Sequence, residues 1–246
     1  MVLPVELWPL SGLVVRTPTL ELRAAREADL VALAEVASDG IHDPEFMPFS
    51  TPWTDTTPLE RARSVLRWHW GRWSQWQPDD WALDLVVLLD GVVVGTQGLQ
   101  AKDFAVRREI DTGSWLGREY QGAGIGTRMR RAALHLIFAG LEADFATSGA
   151  FEDNPASLAV SRKLGYVDDG IERWARRGRA ATVRRVRLSR EAWGTSVREG
   201  GTPQAGAPES GSPESGALES GSPEPVTIHG LPATLPWFGI SDAIER

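Results

Sequence analysis

The alternation of apolar and polar positions divides the chain into short helical and extended stretches. Leu20 to Arg23 predicts a short strand. Glu27 to Ser38 places Leu30, Leu33, Ala34 and Ala37 on one side and predicts a helix. Leu59 to Trp76, opened by Thr57-Pro58, predicts a second helix with Val65, Leu66, Trp73 and Trp76 on its core face. Trp70 must then look elsewhere. Trp81 to Leu89 and Val92 to Gln100 read as strands joined by Asp90-Gly91, a type I′ hairpin signal. A third strand runs from about Arg107 to Leu116. From Ile125 to Gly140 the apolar residues Ile125, Met129, Ala132, Ala133, Leu136 and Ile137 recur at helical spacing, with Arg128, Arg130 and Arg131 on or near the other faces. Asp144 to Ala150 is the next strand. Asn154-Pro155 then caps a helix that stops at Gly165, because Asn accepts from the first turn and Pro suits its first position. Tyr166 to Trp174 and Ala180 to Leu188 form a last hairpin across Arg177-Gly178.

Two regions break this rhythm. Residues 39–58 are punctuated by Gly40, Pro44, Pro48, Pro52 and Pro58, yet they carry Phe46, Met47, Phe49 and Trp53. Apolar residues in such a loop either pad it against the core or wall a pocket. After Arg198 the run APESGSPESGALESGSPEP repeats a five-residue unit almost without apolar content. We read 1–198 as one domain, 199–225 as a disordered linker, and 226–246 as an apolar docking segment. That segment could cap its own domain, swap onto a second subunit or bind another protein.

The stretch WLGREYQGAGIG, residues 115–126, ends a strand and opens directly into the Ile125 helix. Gly122, Gly124 and Gly126 leave the backbone bare where unpaired N–H groups carry the positive end of the helix dipole. Such a strand–glycine turn–helix is a ready cradle for phosphate. A dinucleotide fingerprint would be G-x-G-x-x-G in a first βα turn, whereas this loop is G-x-G-x-G and follows several strands. Gln121-Gly122-Ala123-Gly124-Ile125-Gly126 resembles the Q/R-x-x-G-x-G/A acyl-CoA loop of the GNAT N-acyltransferases. Trp115-Leu116, Asn154-Pro155-Ala156-Ser157 and Leu164-Gly165-Tyr166 extend the resemblance over about residues 15 to 190. Within the superfamily the chain is similar to the branch that contains the N-terminal acetyltransferases of ribosomal proteins. The resemblance implies an α+β fold: a central mixed, mostly antiparallel twisted sheet flanked by helices.

Composition narrows the chemistry. There is no cysteine, hence no disulfide, thiolate metal site or cysteine nucleophile, and four scattered His make a zinc site improbable. No apolar run reaches membrane-spanning length, and MVLPVELWPL lacks a basic start and apolar core, so a cytoplasmic protein without membrane contact is expected. Of the net charge of −7, residues 199–246 hold seven acidic residues and one basic one, leaving about −1 for the rest. A near-neutral domain is not expected to bind nucleic acid. The scarcity of Lys beside Arg reads as a GC-rich, bacterial coding bias.

Acyl transfer from a thioester to an amine needs a held CoA, a base for the amine, a donor for the oxyanion and a proton for the thiolate. The resemblance places acetyl-CoA, as co-substrate, on Trp115, Leu116, Gly117, Gln121, Gly122, Ala123, Gly124, Ile125, Gly126, Thr127, Asn154 and Ser157. Arg118, Arg128 or Arg131 would pair with its phosphates. Asp111 is the first choice for the base, since the related branch has Glu at that place; Glu109 shares its strand face and comes second. Asp84, His42 and His69 are weaker candidates. Many GNAT enzymes draw their acid from a Tyr in the helix after N-P; this helix, PASLAVSRKLG, has none, and Ser157 takes the role. Tyr166 lies far along for a substitute. His42, Phe46, Phe49, Trp53 and Trp70 would meet the acceptor, a small-molecule amine or a peptide N-terminus, and their tryptophans favour an aromatic or apolar small molecule. A homodimer or a contact through the tail fits the exposed apolar segments. The rivals are a GNAT-fold transferase with a bulkier acyl-CoA or aminoacyl-tRNA donor, and a non-catalytic CoA sensor.

Overall fold

The computed structural model describes residues 3–198 and 224–240. Most of the linker, 199–223, and the last six residues lie outside the described residues. Nine strands form one sheet: β1 (Val14–Arg16), β2 (Leu20–Ala24), β3 (Asp80–Leu89), β4 (Val92–Lys102), β5 (Glu109–Leu116), β6 (Phe145–Phe151), β7 (Val167–Arg176), β8 (Arg179–Ser189) and β9 (Thr227–His229). Their spatial order is β7-β8-β6-β5-β4-β3-β2-β1-β9. Every pairing is antiparallel except β5 with β6, which is parallel. The expected mixed, mostly antiparallel sheet is what the chain builds.

Period-two alternation along β3 sends residues to opposite faces. Val86 and Leu88, with Val93 of β4, meet Leu30, Leu33 and Ala37 of α1 (Glu27–Asp39) and Val65 of α2 (Pro58–Ser74). Leu83, Leu85 and Val87 meet Met129 and Ala133 of α4 (Ile125–His135), which follows the single-turn α3 (Phe104–Arg107). The α4 helix runs into a π-helical turn, Leu136–Gly140, and α5 (Pro155–Lys163) and α6 (Arg190–Arg198) complete the framework. Neither β1 nor α6 was expected from the pattern.

The expected core face of α2 holds at Val65, Leu66 and Trp73 and needs correcting at Trp76. Val65 is buried with His69, one helical turn on, and the imidazole is 2% exposed with Nδ1 unpartnered. Burial pushes its pKa down, outweighing the field of Asp84, so His69 is a neutral core histidine. Trp76 lies beyond the helix end and joins the opposite core, together with the C-terminal segment.

That segment caps its own domain. β9 extends the sheet by pairing with β1, Val15 opposite Ile228. The turn after it needs glycine: Gly230 has φ +74°, and a Cβ there would lie 2.2 Å from the Gly12 carbonyl oxygen. One further turn, α7 (Leu231–Thr234), leads to Phe238, fully buried against Trp81 (ring centroids 4.8 Å) and Trp76 (5.6 Å). The Trp76 indole N–H donates to the Trp237 carbonyl at 2.9 Å.

Candidate active site

The site is built where β5 and β6 part. They pair from Glu109 opposite Phe145 to Thr112 opposite Ser148 and no further. Beyond that point residues 113–116 pair with β4 alone, and Gly149 to Phe151 pair with β8 alone. A wedge therefore opens in the sheet, with one edge of β5 free to take an extended ligand as an added strand.

The wedge leads to the glycine loop. Gly122 (φ +78°) and Gly124 (φ +77°) sit in the left-handed region, and open space surrounds the position of a Cβ at each. Conformation, not crowding, demands glycine there. Gly124 caps α4, and its carbonyl accepts from the N–H groups of Thr127 and Arg128. The N–H groups of Gly122, Ala123, Gly124, Ile125 and Gly126 donate to no described group and form a cradle for an anion. Ile125 anchors this turn in the core. Gln121 braces the loop: its amide donates to the carbonyls of Ile41 (2.6 Å) and Leu116 (2.9 Å), so its side chain is structural. Gly117 packs tightly, since a Cβ would come within 2.6 Å of Val36. These features fit a pyrophosphate on the loop and a pantetheine arm in the wedge.

The arginines expected to meet phosphates are variously engaged. Arg118 lies 3.8 Å from Asp43, and Arg128 lies 3.2 Å from Glu224 of the C-terminal segment. Arg130 overturns its assignment to an outer face: it is 4% exposed, because α4 is covered on the side that also buries Ala133 and Leu134. Asn154 caps α5, its Oδ1 accepting the Ser157 N–H at 3.1 Å. A Cβ at Gly126 would lie 3.8 Å from Val160 of α5, so α5 and its half-buried Ser157 stand at the same end of the fold.

Asp111 stands at the apex of the wedge on the α1–α2 face. It accepts from the Gln100 amide and the Thr147 hydroxyl, both at 3.1 Å. Burial raises its pKa above the ordinary carboxylate value, against these bonds and the field of Arg130. A cavity of about 230 Å³ beside it is lined by Arg72, Trp81, Gln100, Lys102 and Glu109. Glu109 is engaged in ion pairs with Arg107 (3.1 Å) and Arg187 (3.2 Å). Asp84 is occupied by the Trp68 indole N–H at 3.0 Å and Arg72 at 3.6 Å.

An aromatic series walls the same face. His42 meets Phe49 (5.7 Å), Phe49 meets Trp53 (5.3 Å), and Trp53 meets Trp115 (6.0 Å). Trp115 thus turns its ring to the α1–α2 side, leaving only its backbone to the wedge. The His42 ring nitrogens contact the Asp43 carbonyl (2.8 Å) and the Thr54 hydroxyl (2.7 Å). Phe46 is half-buried in the same loop. The β7–β8 tip fastens that loop: Arg177 pairs with Asp55 and donates to the Pro44 carbonyl (2.9 Å), while Arg176 reaches the Met47 carbonyl (3.2 Å). Trp70 does not join the wall; it is 54% exposed on the outer side of α2 and makes no ring contact among the described residues. Trp68, two residues earlier, is equally exposed but sends its indole N–H to Asp84 of β3.

Known proteins share this fold. Residues 19–167 match the model of the acetyltransferase (GNAT) domain. The Bacillus subtilis (strain 168) protein YdaF, which bears the name of a ribosomal N-acetyltransferase, is 29% identical over 101 residues, 41% of this chain. The matched stretch spans 55% of YdaF, about half of that protein's length. Mycobacterium smegmatis RimJ in complex with CoA-disulfide superposes with a TM-score of 0.64 at 22% identity, over 78% of this chain and 96% of RimJ. RimL, a ribosomal L7/L12 alpha-N-protein acetyltransferase solved with coenzyme A, gives 0.56 at 20% identity, over 73% and 99% of the two chains. The parted strands and the partnerless N–H groups of the glycine loop lie within or beside a matched domain that takes up more than half of the chain, and by that match the chain belongs to the GNAT acetyltransferase family.

Proposed function

We propose that the protein is an acetyl-CoA-dependent N-acyltransferase that modifies a primary amine, with the α-amino group of a polypeptide as the favoured acceptor. The observation that carries the reading is the wedge between β5 and β6, with a partnerless N–H cradle at its mouth and a desolvated carboxylate at its apex. Acyl donor and amine meet in one ternary complex, and no enzyme side chain carries the acyl group. The loop N–H groups hold the pyrophosphate, and the free edge of residues 113–116 aligns the pantetheine. Asp111 takes the proton of the attacking amine, whose ordinary pKa near 10 requires a nearby base. Its raised pKa suits that task, because a stronger base is a better acceptor. The names of YdaF and RimL support a protein acceptor. His42, Phe49 and Trp53 would border the amine's approach from the α1–α2 side. Catalysis in the cytoplasm, where acetyl-CoA and nascent proteins coexist, follows from this reading.

The test is thermal unfolding with and without acetyl-CoA, followed by thiol release on a panel of peptide N-termini and small amines. Ligand at about 100 times its dissociation constant adds roughly 2.7 kcal/mol, a visible rise in Tm. No rise with acetyl-CoA or CoA would refute the donor site. Thiol release with small amines alone would refute the protein acceptor.

A further inference from the structure

Arg130 is the least expected group in the molecule. Its guanidinium donates to Gln97 Oε1 (3.1 Å), Thr112 Oγ1 (3.1 Å), Ser148 Oγ (3.2 Å) and Ser114 Oγ (3.0 Å). All four acceptors are neutral, and no carboxylate pairs with it among the described residues. A cation withdrawn from water with no carboxylate in contact is costly, and an aliphatic side chain would fill the same space more cheaply. The packing of α4 therefore does not explain it.

The hydroxyls around it show where the charge is directed. Each accepts from Arg130, so each has its own proton left to donate. Thr112 gives that proton to the Thr147 carbonyl (2.9 Å), and Ser148 gives its to the Thr112 carbonyl (2.9 Å). Ser114 donates to no described group. It is also the one of the three that lies past the point where β5 and β6 separate, and it is half-buried rather than closed off. Ser114 thus carries a polarised, unused O–H at the wall of the wedge. The buried Tyr166 hydroxyl, 6% exposed as a residue, lies beside Thr112 and Arg130 and completes no hydrogen bond of normal geometry. The neighbourhood as a whole is short of an acceptor.

We propose that Ser114 is a catalytic residue whose hydroxyl, polarised by Arg130, meets the thiolate that leaves in acyl transfer, and that Arg130 is its positioning residue. The inference rests on the CoA-dependent reading above. In the step, the amine nitrogen bonds to the thioester carbon and its proton passes to Asp111. The carbon–sulfur bond breaks with its electron pair on sulfur. The Ser114 O–H donates a hydrogen bond to that sulfur, which is later protonated by water. Such a device would act beside Ser157, the hydroxyl that the Tyr-free α5 helix offers to the same sulfur. A donor aimed at developing charge in a dry site, with a fixed cation behind it, is the most effective form of electrostatic assistance.

The full-length protein provides the test. Ionisation of bound CoA is followed through the ultraviolet absorbance of its thiolate against pH, in the wild type and in Ser114→Ala, Arg130→Lys, Arg130→Met and Tyr166→Phe. The wild type is expected to lower the thiol pKa below that of free CoA. Ser114→Ala and Arg130→Met should return it toward that value, with Arg130→Lys between them. Turnover of Ser114→Ala should fall about a hundredfold, the loss typical of one oxyanion donor, at an unchanged KM for acetyl-CoA. Affinity for desulfo-CoA, which has no sulfur to stabilise, should be equal in all five proteins. Ser114→Ala with wild-type turnover and a wild-type thiol pKa would overturn the proposal, as would transfer of the whole effect to Tyr166→Phe. A wild type that binds neither CoA nor desulfo-CoA would overturn the donor reading beneath it.

Discussion

Phe238→Ala measures how far the C-terminal segment belongs to the domain. The ring is 0% exposed and packs edge-on against Trp81 at 4.8 Å and Trp76 at 5.6 Å. Removing a buried phenyl ring costs the transfer free energy of its atoms plus the cavity left behind, about 3–5 kcal/mol. In a domain of this size each kcal/mol lowers Tm by about 2–4 °C, so a fall of about 6–20 °C is expected by calorimetry. Tryptophan emission should shift red at the same time, since Trp76, Trp81 and Trp237 surround the site. Trp70→Ala is the control: an exposed ring without ring contacts should change stability by less than about 0.5 kcal/mol. A loss below about 1 kcal/mol for Phe238→Ala would refute the reasoning and mean that the segment is not packed on the sheet in solution.

Asp111→Asn should lower turnover by about 10²–10⁴ if this carboxylate is the base; unchanged turnover would move the role elsewhere. The same change should raise Tm. Burial raises the folded pKa of Asp111 above its unfolded value, so its contribution to stability is present in acid and lost as pH rises through the folded value. The gain from Asn should therefore appear above that pH and vanish below it, and a Tm difference that grows in acid would contradict the sign. Wild-type kcat/KM should rise with pH through the same raised value. Gly124→Val forces a branched side chain into φ +77° at the mouth of the anion cradle; calorimetric titration should find CoA binding lost with the circular dichroism of the fold retained. Arg177→Ala unfastens the 42–55 loop from the β7–β8 tip and should raise KM for the acceptor more than for acetyl-CoA, read by steady-state kinetics.

The legible part of this chain was its punctuation. Asp90-Gly91, the glycine loop and Asn154-Pro155 mark turns and caps whose chemistry is local, and they placed the hairpin, the start of α4 and the cap of α5. What escaped depends on contacts distant in sequence. β1 and β9 are three residues each, too short for a period; β1 is held between β2 and β9, and β9 by β1. Helical spacing put Arg130 beside Ala133 and Leu134, but its charge argued for solvent; only the neutral oxygens of Gln97, Thr112, Ser114 and Ser148 converging on it reverse that. A signal was present in retrospect, since Thr112 and Ser114 alternate on the face of β5 that also buries Ile110 and Leu116. Trp70 and Trp68 show the limit of composition: both are tryptophans of one helix, and half a turn decides which one sends its indole N–H to the sheet.

The pairing of β9 with β1 also sets a timetable for synthesis. Val15 and its partner Ile228 stand 213 residues apart in the chain. At 5–20 residues per second, about ten to forty seconds separate them. Throughout that interval the outer edge of β1 has no partner, and Trp76 and Trp81 lack the phenyl ring that covers them. The nascent domain is therefore sticky along one edge until residues 227–238 leave the ribosome, and a chain truncated before them would present the same unpaired strand permanently, a template for aggregation.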